Sequence, residues 1–388
     1  MLRTNQALVA ILALTLLVTG CNDDDDNNAF CLPASNNAAV INTVASDYTD
    51  ANIELVDLDA DTLQAAEGCF KTGQSDYSVS SYNSHFYRIG RNTIDTISKH
   101  SILAPNFTRY RYSTIDDGDS ANSNPYDIIF ASESKAYIIR YNSNRIWVVD
   151  PSAESEADFK LHEIDLSDYA DADNLAEIAG GLIIGNRLFV FMERLEFWSP
   201  AAGNSYVAVI NTDDDTEVDT RPVGSLDTLK GIRLQTANPQ KMVYQAGAGL
   251  FVQSIGSWSG DYIGGIEKID TADFSTSMII DDNATTGRMS GLAIVSDTLG
   301  YVVSYAGWGN TSLYRFNPAT GTMEDQPIDG FAGIDITNLS VDSNQRLWVS
   351  IADAGNPRIA LLDTADDSLI TIISTVYNPG KVVFASTE

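Results

Sequence analysis

Cysteine, histidine and cationic side chains are all scarce in this chain. Of 388 residues three are Cys and three are His, and 23 Lys and Arg stand against 53 Asp and Glu, a net charge of −30. That imbalance excludes a binder of nucleic acid or of anionic headgroups, since either needs a basic patch and none is visible. His85, His100 and His162 stand apart, with no second His or Cys at ligand spacing, which argues against a His/Cys metal centre. Nucleophile motifs are lacking too. Ser132-Glu133-Ser134-Lys135 matches Ser-x-x-Lys but falls in a short hairpin turn without partner motifs, and Gly256-Ser257-Trp258-Ser259-Gly260 centres on Trp rather than Ser.

What is present is a repeat. Asn186–Thr220 holds an apolar strand (Leu188 to Phe191), a long hydrophilic loop carrying aromatics, a second apolar strand (Tyr206 to Ile210) and an acidic turn. The same unit recurs as Ala136–Ile139 with Arg145–Pro151, Leu250–Val252 with Gly265–Thr271, Gly300–Val303 with Ser312–Pro318, and Arg346–Val349 with Arg358–Thr364. Each second strand closes on Asp or Asn, at 150, 211, 270, 317 and 363, spaced 61, 59, 47 and 46 apart. A short Asp/Asn side chain there bonds to the backbone of the turn that follows. Spacings of about 40–50 residues, stretched by loop insertions, are those of propeller blades.

The endings Val149-Asp150-Pro151, Ile269-Asp270-Thr271 and Leu362-Asp363-Thr364, with the strands before them, resemble the YVTN family of β-propeller repeats. The resemblance covers roughly residues 50–388 and implies an all-β fold of one propeller, while saying little about function, because such folds host binders, scaffolds and enzymes. Counting repeats gives seven blades, one of them closed by pairing the two chain ends. In that blade Ala51–Asp61 reads as an outer part with no strand before it, and Asn378–Ala385 supplies the missing strand. The propeller is assigned to 51–388. Trp147 and Trp348, in equivalent mid-strand places, read as packing between blades rather than as ligand contacts.

The first 20 residues carry one cation, Arg3, ahead of an apolar run from Ala7 to Val18, the pattern of a secretory signal rather than a stable span. They end Leu17-Val18-Thr19-Gly20-Cys21, which looks like a lipobox and implies a bacterial lipoprotein acylated on Cys21 and anchored in a bilayer. Residues 21–50 read as an acidic tether (Asp23 to Asp26) followed by an irregular segment, Leu32–Ser46. In an oxidising envelope Cys31 and Cys69 pair as a disulfide, closing a loop of about 38 residues and contributing on the order of 3–4 kcal/mol. A redox pair is the lesser alternative, as it lacks Cys-x-x-Cys spacing. In the lipoproteins it resembles, Asp directly after the lipidated Cys favours inner-membrane retention, so Asn22 in that place implies the outer membrane rather than the inner one.

The informative loops join paired strands and in a propeller emerge together on one face. They carry Arg140, Tyr141, Arg194, Trp198, Trp258, Tyr262, Tyr305 and Trp308, residue types enriched at binding hot spots. Tyr82–His85 is taken as an irregular earlier counterpart. Converging, these side chains form an aromatic floor with a few cations; folded back, they plug the channel. No cofactor is predicted. Calcium is the one ion that Asp116-Asp117-Gly118-Asp119 or Asp168–Asn174 could take, although neither matches an EF-hand loop and a solvated turn is the plainer reading.

Three functions follow, in order. The first is a non-catalytic envelope lipoprotein that captures a small ligand or a partner protein, for instance on behalf of an outer-membrane uptake receptor. A planar or anionic ligand would suit Trp258, Trp308, Tyr305, Arg140 and Arg194. The second is a docking scaffold. The third is a metal-dependent hydrolase of the lactonase kind, with Glu193, Asn310 and Asp353 as metal ligands.

Overall fold

The computed structural model describes residues 32–66, 70–116 and 122–387. The signal segment, Cys21, Cys31, Cys69, Asp117 and Asp119 lie outside the described residues, and with them the lipidation and disulfide expectations.

The chain is an all-β propeller. The described strands form antiparallel sheets that, apart from the terminal one, follow chain order, and the first strand of each sheet lies against the first strand of the next around the centre of the ring. The repeat unit explains the form of the sequence. In the strand Arg187–Met192 five consecutive residues are buried. Leu188, Val190 and Met192 pack into a core shared with Ile129, Tyr137 and Ile139 of the preceding sheet, while Phe189 and Phe191 pack with Leu250 and Val252 of the following one. Both faces are covered, so the strand reads as a continuous apolar run rather than an alternation. Trp147 and Trp348 occupy this kind of space, each buried between sheets with its indole N–H donated to a carboxylate, Glu163 Oε1 at 3.0 Å and Asp342 Oδ2 at 2.9 Å.

The terminal Asp/Asn of each repeat does what its chemistry suggests. Asp150, Asn211, Asp270, Asn317 and Asp363 each accept, through side-chain Oδ1, the backbone N–H two residues on, at 2.7 to 3.0 Å. In four of the five the turn then closes with the N–H four residues on bonded back to the same residue's carbonyl, from Asp215, Phe274, Gly321 and Asp367. All four of those residues have left-handed backbone, with φ between 59° and 73°.

Two features depart from the expectation. Asn37–Val44, read as part of an irregular segment, is a strand. It pairs with Ala51–Asp57 on one side and with Asn378–Ser386 on the other. Closure by the chain ends is therefore present, but the propeller begins before residue 51, and the terminal sheet runs from 378–386 through 37–44 and 51–57 to 65–66. The core Ala38-Ala39-Val40-Ile41 is apolar, yet Ser35, Asn36, Asn37 and Asn42 around it give the stretch the composition of a loop. The second feature is Ala332–Val341. Its first half bonds to the outer edge of Asn310–Phe316 and its second half is the innermost partner of Arg346–Ala352, so two four-strand units merge into one seven-stranded sheet.

The register also fixes the faces. Pro125, at the start of an innermost strand, lies opposite Arg140, and Ser132 at its end lies opposite Lys135. Entry from the previous sheet and the hairpin between second and third strands thus share one face, called the loop face below. The turn between first and second strands points the other way. Tyr82–His85 is a first-to-second turn, joining Tyr77–Tyr82 to His85–Gly90, so it belongs to the opposite face and is not a counterpart of the aromatic loops.

Candidate functional site: the aromatic loop face

Three of the eight expected binding residues come together. Trp258, Tyr305 and Trp308 line one cavity of about 350 Å³. Trp258 meets Tyr305 edge to face, with ring centroids 5.1 Å apart, and stays half exposed, while Trp308 is 83 % exposed. Large aromatic faces held open to water around a concavity are the commonest lining of small-molecule sites. Tyr262 stands beside this group, its ring 4.5 Å from the Arg288 guanidinium, but is not part of the wall. Arg288 itself donates to the carbonyls of Ser257 and Gly260 and thereby holds the Trp258 loop in place.

The sequence reading missed Tyr48, Ser290 and Asp335. Tyr48, 62 % exposed, rises from the second-to-third hairpin of the closing sheet and completes the aromatic wall. It follows from the overlooked strand 37–44: with that strand in place, residues 45–50 become a loop-face hairpin like the others. Asp335 sits where Ala332–Val341 passes from one sheet to the next, opposite Ala352. Its carboxylate makes no hydrogen bond and no ion pair with any described residue, and burial alone raises its pKa above the ordinary Asp value. Ser290, on an innermost strand, has a buried hydroxyl that is likewise without a partner. Asp335 is the one charged side chain in the wall among the described residues.

Three more of the expected set are built into the protein. Arg140 is buried, its guanidinium 4.5 Å from the Trp147 ring and donating to Ser143 Oγ at 3.3 Å. Tyr141 is buried, stacks on Tyr126 at 4.4 Å and donates its hydroxyl to Glu193 Oε2 at 2.7 Å. Arg194 donates to the carbonyls of Tyr169 (2.6 Å) and Asn204 (2.8 Å) and to Asn204 Oδ1 (3.0 Å). Trp198 is exposed at a tight turn away from the cavity. Two buried carboxyls lie in this part of the loop face. Glu193 accepts from Tyr141 and Gln240, and Glu177 accepts from the Leu195 N–H at 3.1 Å. Burial pushes both up to about 7, against the pull of those hydrogen bonds.

The expected metal ligands do not assemble. Glu193 is bound as described, and Asp353 faces the Arg358 guanidinium at 3.2 Å and the Gly355 N–H at 3.1 Å. Asn310 closes the exposed hairpin opposite Gly307. In the acidic turns, Asp116 holds Lys160 at 2.6 Å, and Asp173 accepts from the backbone of Leu175 and Phe197. Among the described residues no group of three or more His, Cys, Asp or Glu is placed to hold a metal ion. Lys135 of the Ser-x-x-Lys match is paired with Asp215 at 2.9 Å. A larger groove of about 650 Å³ runs between the outer strands of two adjacent sheets, but its polar side chains serve each other: Tyr206 bonds Asp227 at 2.7 Å and Arg233 bonds the Gly203 carbonyl at 2.6 Å.

No family model and no curated protein sequence matches the chain, so the YVTN resemblance has no support beyond the fold. Solved structures do match. A putative 6-phosphogluconolactonase from Bacteroides fragilis is similar over 90% of this chain and 98% of its own length, with a TM-score of 0.60 at 12% identity. A protein from Lactobacillus plantarum is similar over 90% and 99%, with a TM-score of 0.60 at 15% identity. Hydrazine synthase of Kuenenia stuttgartiensis covers 78% of the chain and 87% of its own, with a TM-score of 0.57 at 12% identity. At these identities the likeness shows the propeller fold and nothing of the chemistry.

Proposed function

We propose that this protein is a lipid-anchored envelope propeller that binds a small molecule, without transforming it, in the cavity bounded by Tyr48, Trp258, Tyr305, Trp308 and Asp335. One observation carries the reading: side chains from loops far apart in sequence converge on one concavity and keep both aromatic surface and polar groups unused. Unused groups of this kind are costly unless something occupies them. Seven blades are part of the proposal, with the seven-stranded sheet counted as two. So are acylation of Cys21, a Cys31–Cys69 disulfide, an outer-membrane location and service to an uptake receptor, each of which rests on the sequence pattern.

The test is a thermal-shift screen of the purified chain against sugars, amines, haem, ferric siderophores and divalent metals. A ligand of the folded state raises the midpoint by mass action. The reading expects a shift that Trp258→Ala and Trp308→Ala abolish while leaving the unliganded midpoint nearly unchanged. Shifts insensitive to both substitutions would sink it. A separate measurement, membrane fractionation of Cys21→Ser, addresses the anchor: the substituted protein is expected in the soluble fraction.

A second reading has its own observation. Phe197, Trp198, Val223 and Leu226 are large apolar side chains left exposed on two loops, the kind of residue that suits a protein partner. That is the docking scaffold. Its mark is a screen with no small-molecule hit and an interaction lost on Trp198→Ala.

A further inference from the structure

We infer that the loop-face cavity takes a small organic cation, a quaternary or methylated ammonium, with Tyr48, Trp258, Tyr305 and Trp308 as its aromatic walls and Asp335 as its counter-charge. This rests on the reading of that cavity as a ligand site.

The argument is one of charge and surface. Aromatic faces attract a cation through the ring quadrupole, and the attraction grows when the cation is partly desolvated. Four such rings from three chain segments, with Tyr305 and Trp308 on one hairpin, line this cavity, and two of them, Trp258 and Tyr305, stand at 78° to one another, the corner of a box rather than a flat stack. Asp335 supplies a negative charge that no described residue neutralises. An anionic ligand would need a cation in the wall. The arginines that sequence reading assigned to that task are engaged elsewhere, Arg140 over Trp147 and Arg194 on Tyr169 and Asn204. Arg288, the guanidinium on the Trp258 loop, is held by two carbonyls and the Tyr262 face. A bare metal ion is equally ill served, since the wall holds a single carboxylate and no group of three or more His, Cys, Asp or Glu among the described residues is placed to hold an ion. The apolar walls suit the methyl groups of an alkylated ammonium. The wider molecule agrees: a net charge of −30 draws cations toward its surface.

The deciding experiment titrates the full chain with choline, with tetramethylammonium and with 3,3-dimethylbutan-1-ol, the uncharged carbon isostere of choline, followed by calorimetry and by indole fluorescence. Choline is expected to bind at least about tenfold more tightly than the isostere. Asp335→Asn should cut that preference severalfold while leaving the affinity for the isostere unchanged, and Asp335→Glu should keep the preference. Trp258→Ala and Trp308→Ala should weaken all three compounds. Equal affinity for choline and its isostere overturns the inference, as does failure of both cations to bind. If both cations fail while some neutral or anionic compound of the thermal screen still depends on Trp258, the ligand site stands and only its charge class falls. If no compound of either set binds, both readings fall together.

Discussion

The two halves of the loop face are made from the same kinds of residue, yet one is closed and the other open. On one side Tyr141, Glu193 and Arg194 have their polar ends answered by Glu193, Gln240, Tyr169 or Asn204, and Arg140 donates to Ser143 and lies over Trp147. On the other side Trp258, Tyr305, Trp308 and Asp335 surround a cavity, and the Asp335 carboxylate has no answer. Residue type does not separate a packed network from a binding wall. Whether the polar ends are satisfied within the protein does, because an unmatched polar group near apolar surface is stable only when something outside completes it.

The largest expected effect lies in the closed half. Tyr141→Ala removes a buried ring stacked on Tyr126 and strips Glu193 of a donor, and it should cost about 3–5 kcal/mol in chemical unfolding. Arg194→Ala should follow at about 1–3 kcal/mol, since it leaves the Tyr169 and Asn204 carbonyls short of their donor. Next comes pH. Glu193 and Glu177 bind a proton more tightly folded than unfolded, so stability is full below their unfolded pKa and falls as pH rises from about 4.5 to about 7. Glu193→Gln should flatten that fall by on the order of 2 kcal/mol, read from urea midpoints across the window. In the open half, Trp258→Ala and Trp308→Ala should change stability by less than about 1 kcal/mol while removing ligand binding. A large loss of stability in either of these, or none in Tyr141→Ala, would erase the contrast between the halves.

The strands and their closing turns were legible because their causes are local. An apolar run covered on both faces, then Asp or Asn bonding two residues on, is written within a dozen positions. Asn37–Val44 escaped because its composition is that of a loop and its inner partner lies at the far end of the chain. Ala332–Val341 could not be parsed as serving two sheets, since the hand-over at Asp335 has no local mark. The site divides in the same way. That Trp258 and Trp308 sit on loops was plain. That Tyr141 finds Glu193 52 residues away, while Asp335 finds nobody, is a matter of three-dimensional company that neither residue advertises.

The pairing of Asn37–Val44 with Asn378–Ser386 also sets a timetable. Every hydrogen bond across it joins residues more than 330 positions apart, so the first strand waits, half paired, until the last strand arrives. A ribosome or a secretion channel delivers the chain from one end, and through that whole interval the ring is an open arc with two exposed edges. The loop-face cavity spans the seam, with Tyr48 on one side and Asn378, Pro379 and Gly380 on the other. It is therefore completed in the same event that shuts the ring, and a ligand held there would bind only molecules that have finished folding.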